Sequence, residues 1–90
     1  MPTLRFPAAM KYYVDNQSEL TVDASTVREA VEAVSERYPQ LRFHLFDAQG
    51  NLRRHFNLFV NGQHIRDLNG LDTPLNDTDK LILMASAAGG

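Results

Sequence analysis

Apolar and polar positions alternate along several short segments of this chain and repeat at a helical spacing between two of them. Thr3-Leu4-Arg5-Phe6 alternates, so Leu4 and Phe6 share one face of a short strand, which Pro7 ends. Ala8 to Ser18 reads as a mixed loop closing on the turn signal Asp15-Asn16-Gln17-Ser18. Glu19-Leu20-Thr21-Val22 alternates again and predicts the returning strand. Val27, Ala30, Val31, Val34 and Tyr38 then recur at i, i+3, i+4, i+7 and i+11, one stripe of a helix. Thr26 with Glu29 fits a capping box, with Ser25 as an alternative cap, and Pro39 is expected to stop the helix. Glu29, Glu32, Ser35 and Glu36 are expected on its solvated side. Leu41, Phe43, Leu45 and Phe46 form a short apolar segment, and Asp47 to Asn51 a loop.

Further along, Phe56, Leu58 and Val60 alternate with Asn57, Phe59 and Asn61, and Asn61-Gly62 is a tight-hairpin signal returning through Gln63-His64-Ile65. Gly70 and Asp72-Thr73-Pro74 imply a loop or a turn of tight helix, and Asn76-Asp77-Thr78-Asp79 another turn. Lys80-Leu81-Ile82-Leu83-Met84 reads as the last strand. Strand, strand, helix, then three strands, with one helix to cover one mixed sheet, is a two-layer α+β domain.

Composition narrows the picture. Ninety residues give one domain with one modest core, and 43% apolar with 22% charged residues argue for a globular chain. The longest apolar run, Leu81–Ala85, is far short of the ~20 residues of a membrane span, and the start of the chain shows no secretory pattern. There is no cysteine, which removes disulfides, thiolate metal sites and a thiol nucleophile. A net charge of −2 offers no electrostatic case for nucleic acid, although the nine basic residues are skewed to seven arginines over Lys11 and Lys80. His44, His55 and His64 sit on a loop-like segment and two hairpin arms, so surface or capping roles are expected of them and no metal site. Arg53-Arg54-His55 is a small basic cluster. No nucleophile elbow or glycine-rich phosphate loop is present, so no independent catalyst is expected.

The chain ends Ala85-Ser86-Ala87-Ala88-Gly89-Gly90, six small uncharged residues that would reach roughly 20 Å if extended. Composition alone leaves an inert terminus open. A terminal carboxyl is ionised and unreactive at neutral pH, its reference pKa being ~3.5, so acyl chemistry there requires activation, most economically by ATP. Glycine at both last positions removes the Cβ atoms that would block a narrow channel.

The strand order with one helix, Phe59-Val60-Asn61, the turn Asp77-Thr78-Asp79-Lys80 and the terminal Ala88-Gly89-Gly90 together resemble the MoaD/ThiS sulfur carriers, which are ubiquitin-like β-grasp proteins. His55 to Asn61, Gly70-Leu71-Asp72-Thr73 and the alanine-rich approach to Gly89-Gly90 are similar to the CysO-like members. Where family members often carry proline after the final strand, this chain has Ala85-Ser86.

The resemblance implies a β-grasp body over 1–84 and a tail over 85–90. It implies adenylation of Gly90 by an ATP-using enzyme of the ubiquitin-activating type, followed by thiocarboxylate formation and sulfur transfer to an acceptor synthase. Gly89 and Ala88 would serve tail recognition. The docking face would be the sheet side away from the helix, with Ile82 and Met84 outward and Arg5, Phe59 and His64 beside them. The chain would be a cytoplasmic carrier, monomeric on its own, with no bound cofactor. A modifier conjugated through Gly90 to target lysines uses the same activation and stays open.

Overall fold

The computed structural model describes residues 1–85, and Gly90, Gly89 and Ala88 therefore lie outside the described residues. Strand β1 (Thr3–Arg5) leads through a 3₁₀ segment (Ala8–Val14) to β2 (Glu19–Thr21). Helices α1 (Val27–Arg37) and α2 (Pro39–Leu45) follow. Strands β3 (Phe56–Val60) and β4 (Gln63–His64), two short 3₁₀ turns and β5 (Lys80–Ala85) complete the chain. The sheet order is β2-β1-β5-β3-β4, with β1 and β5 parallel and the other neighbours antiparallel. The last strand thus occupies the middle of the sheet. Its Leu81 and Leu83 are 1% and 2% exposed, which suits a strand flanked on both sides.

The helical stripe is buried as its spacing requires: Val27, Ala30, Val31 and Val34 lie in the core with Leu4, Leu20, Leu58 and Leu81. Thr26 Oγ1 accepts from the Glu29 N–H at 3.2 Å, and Glu29 Oε1 accepts from the Ser25 N–H at 2.9 Å, a reciprocal cap on the first turn. Asn61 and Gly62 have φ of 49° and 88°, the positive values a two-residue hairpin turn of this kind demands. One mixed sheet holding its helices on one face is the β-grasp architecture.

Four local expectations change. Pro39 does end α1, but it also occupies the first turn of α2, where a fixed φ and a missing N–H are harmless, so a second helix replaces the unassigned apolar segment. Leu41 and Leu45 are its buried i, i+4 pair, whereas Phe43 between them is 75% exposed. Ala8–Val14 is a 3₁₀ segment and not a loop, anchored by buried Met10 and Val14 and ended by left-handed Asp15 and Asn16. The returning hairpin arm stops at His64, and Ile65 turns into a 3₁₀ segment instead of extending the strand. Strand β5 runs one residue past Met84, so Ala85 pairs with Phe56 and belongs to the sheet.

Ser35 is the fifth change at residue level. It is buried, lying i+4 from Val31 and i+8 from Val27 at the edge of the hydrophobic stripe. Its Oγ has no hydrogen-bond partner among the described residues. A desolvated hydroxyl without a partner costs about 1–3 kcal/mol, and alanine is the better helix former. Ser35→Ala is therefore expected to raise stability by roughly 1–2 kcal/mol, a rise of several degrees in a calorimetric melt at ~4–8 °C per kcal/mol. A lower melting temperature would show that the hydroxyl is satisfied in solution.

Candidate functional site

The strand registers place the predicted face in one line. Arg5 pairs with Ile82, Ile82 with Phe59, and Phe59 with His64, a row crossing β1, β5, β3 and β4. The adjacent row, Leu4, Leu81 and Val60, is buried under the helices, so the alternation of strand side chains turns the Arg5 row to the opposite face. Phe59 and Ile82 are half-buried there, Arg5 is exposed, and Met84 is 51% exposed one step nearer the end of β5. Met84 pairs with Asn57, which shares the open face with Phe59. An apolar strip of Phe59, Ile82 and Met84 is thus presented beside the strand that leads out to residues 86–90. Leu81 and Leu83 point inward, opposite Ile82 and Met84.

His64 is held rather than free. Its Nδ1 accepts from the Arg66 N–H at 3.1 Å, which requires the lone pair on that nitrogen. The proton then sits on Nε2, which donates to Asn57 Oδ1 at 2.9 Å. The ring also meets Phe59 edge-on at 5.1 Å between centroids. The imidazole therefore fixes the rim of the open face. Asn57 was not among the expected residues, and only the strand register shows its role.

Two segments that were far apart in the sequence meet at the other end of β5. Asn61 Nδ2 donates to Asp79 Oδ1 at 2.9 Å, and the Lys80 N–H donates to Asn61 Oδ1 at 3.0 Å. The Asn61 N–H in turn reaches the Lys80 carbonyl at 2.9 Å. Asp79 Oδ2 accepts from the Asn76 N–H at 2.8 Å. This clasp fixes the start of β5 against the β3–β4 hairpin and so sets where the strand delivers its far end.

The Asn76 N–H, and secondarily the Asn61 amide, hold the Asp79 carboxyl below its ordinary value of 3.8. A depressed carboxyl contributes stability that is present above 3.8 and is lost as pH falls through the lower folded value. Asp79→Ala should lose about 1–2 kcal/mol near neutrality through two missing acceptors, and its stability should fall less steeply in acid. Urea titrations of both proteins across the acid range check this; parallel curves would remove Asp79 from the clasp.

The remaining candidates disperse. His44 lies on α2, not on a loop, and stacks on Tyr13 at 4.2 Å, while His55 stacks on Phe56 at 4.3 Å. Among the described residues no group of three or more His, Cys, Asp or Glu could hold a metal ion. No described helix is long and apolar enough to cross a membrane. Of the Arg53-Arg54-His55 cluster, Arg53 Nε donates to the Phe43 carbonyl at 3.3 Å.

The ThiS family profile matches residues 4–90, nearly the whole chain and its final glycines included. The chain belongs to the ThiS family. ThiS-family proteins are small sulfur carriers, not catalysts. The sulfur carrier protein CysO of Mycobacterium tuberculosis is 24% identical over 90 residues, covering 98% of this chain and 97% of the relative. CysO in the Amycolatopsis orientalis BexX/CysO complex superposes with a TM-score of 0.89 at 24% identity over 100% of both chains. The small archaeal modifier protein 1 of Methanosarcina acetivorans superposes at 0.86 with 25% identity, covering 99% of this chain and 95% of that one. Carriers and modifiers share the ubiquitin-like β-grasp body.

Proposed function

We propose that this ThiS-family chain carries sulfur as a thiocarboxylate on Gly90. The carboxylate attacks the α-phosphorus of ATP on an adenylating enzyme of the ubiquitin-activating type, releasing pyrophosphate. Hydrosulfide, or a donor equivalent to it, then attacks the acyl carbon and expels AMP. The resulting thiocarboxylate gives its sulfur to an acceptor synthase of the cysteine, molybdopterin or thiamin type. The family match through Gly90 carries this reading, and the similarity to CysO favours the cysteine type. ATP belongs to the partner, and this chain supplies the acyl group and the face that docks it.

That face is the strip of Phe59, Ile82 and Met84 edged by Arg5 and His64, with Ala88 and Gly89 recognised in the partner's channel. Exposed apolar strips of this kind mark partner surfaces, and a CysO has been crystallised in complex with BexX. The structural likeness to an archaeal modifier favours one second reading, conjugation of Gly90 to a target lysine. Intact-mass analysis after incubation with ATP, an adenylating enzyme and sulfide separates them. Exchange of one oxygen for sulfur supports the carrier, adducts with other proteins support the modifier, and an unchanged mass overturns both.

A further inference from the structure

The chain has three methionines and no cysteine, so thioethers are its only sulfur groups, and their surroundings differ. Met10 anchors the 3₁₀ segment and is 7% exposed. Met1 is 60% exposed, but its amine lies 3.5 Å from Asp77, at the end of the molecule where β5 begins. Met84 is 51% exposed on the open sheet face, near the end of β5 that leads to Gly90. We propose that Met84 is an oxidation switch: a peroxide converts its thioether to a sulfoxide, which keeps the chain from docking on the adenylating enzyme. The inference rests on the docking face proposed above.

Placement and chemistry select this residue. The thioether lone pair attacks one peroxide oxygen, the O–O bond breaks and an S–O bond forms. Sulfur loses two electrons to the peroxide. The other oxygen takes up the proton of the transferred one and leaves as water, or as an alcohol from an alkyl hydroperoxide. The oxidant must reach the sulfur, which the core denies at Met10 and the open face allows at Met84. Phe59 and Ile82, the other apolar members of the strip, carry no sulfur and are inert to peroxide, so the switch is confined to one position.

The consequence is equally local. In the free chain water solvates the new oxygen, because the side chain is already half in solvent. Leu81 and Leu83, which hold β5 to the core, face the other way. Under a docked partner the same oxygen is a strong acceptor, desolvated within an apolar strip where the thioether needed no donor. Oxidation therefore spares the fold and acts on association alone. It is also reversible, since methionine sulfoxide reductases return the thioether. Peroxide thus halts sulfur loading without destroying the carrier.

The test treats the full chain with hydrogen peroxide, removes the oxidant by desalting and locates the added oxygen by peptide mass. Arg5, Lys11 and Lys80 let trypsin place each methionine on its own peptide. Met84 should gain one oxygen at least ~5-fold faster than Met10. Adenylation of the oxidised chain, followed as pyrophosphate release, should show KM raised roughly 5–30-fold, with kcat recovered at saturation and the melt unchanged. A methionine sulfoxide reductase with a thiol reductant should restore the KM. Met84→Leu removes the sulfur, so its KM should be the same before and after peroxide. Equal oxidation of Met84 and Met10, an oxidised chain with the KM of the reduced one, or a peroxide effect that persists in Met84→Leu would overturn the switch. A raised KM for Met84→Asp beside a normal KM for the sulfoxide would sink the switch and keep the docking face. Normal values for both would sink the two together.

Discussion

Deleting Gly89 and Gly90 is expected to abolish thiocarboxylate formation entirely while leaving the folding equilibrium within roughly 1 kcal/mol of the intact chain. The reason is the location of the core. Every buried apolar residue of the described chain lies between Pro2 and Leu83, and the last ladder pair joins Ala85 to Phe56. The truncation removes none of these contacts. It does remove the Gly90 carboxyl that the proposed reading sends to the adenylating site and leaves one on Ala88, two residues short, so no residual activity at higher protein concentration is expected. Calorimetry and intact-mass analysis of the truncated chain read the two effects separately. A melt lowered by many degrees would mean that the terminal residues pack against the body. A sulfur-loaded truncated chain would move the chemistry off Gly90.

Much of this body was legible from residue pattern, for identifiable reasons. Helix α1 carries four apolar positions on one period, with Tyr38, the fifth of the stripe, at its C-cap, and Asn61-Gly62 admits few conformations besides a tight hairpin. Helix α2 was not legible because Leu41-x-Phe43-x-Leu45 satisfies a period of two as well as a period of four. Only the exposure of Phe43 decides between them, and that is set by tertiary packing. The segment Ala8–Val14 has just two anchors, Met10 and Val14, too few to reveal a periodicity.

The open face divides in the same way. Alternation along β5 is enough to place Ile82 and Met84 opposite Leu81 and Leu83. The bond between His64 and Asn57 and the clasp between Asn61 and Asp79 depend on which strands are neighbours. Strand adjacency here comes from inserting β5 between β1 and β3, a long-range choice that local pattern does not encode. Phe59-Val60-Asn61 and Asp77-Thr78-Asp79-Lys80 were each visible as motifs. Their meeting in space was not.

Met84→Asp is expected to weaken encounter with the adenylating enzyme by ~10–100-fold in KM, with kcat recovered at saturation and the melt unchanged. Met84 is 51% exposed, so a carboxylate there remains hydrated in the free protein and desolvates only under a docked partner. Leu83, one residue earlier, provides the internal contrast. It is 2% exposed and faces the helices, so Leu83→Ala should cost about 2–5 kcal/mol of stability through transfer and cavity terms. Its kinetics, measured where it remains folded, should be close to normal. The two neighbours thus separate docking from folding along a single strand. Steady-state kinetics of adenylate formation, with melts of both variants, decides the matter. An unaltered KM for Met84→Asp would take the open sheet face out of the docking interface, because a new charge beside the strand that leads to Gly90 could not then go unnoticed.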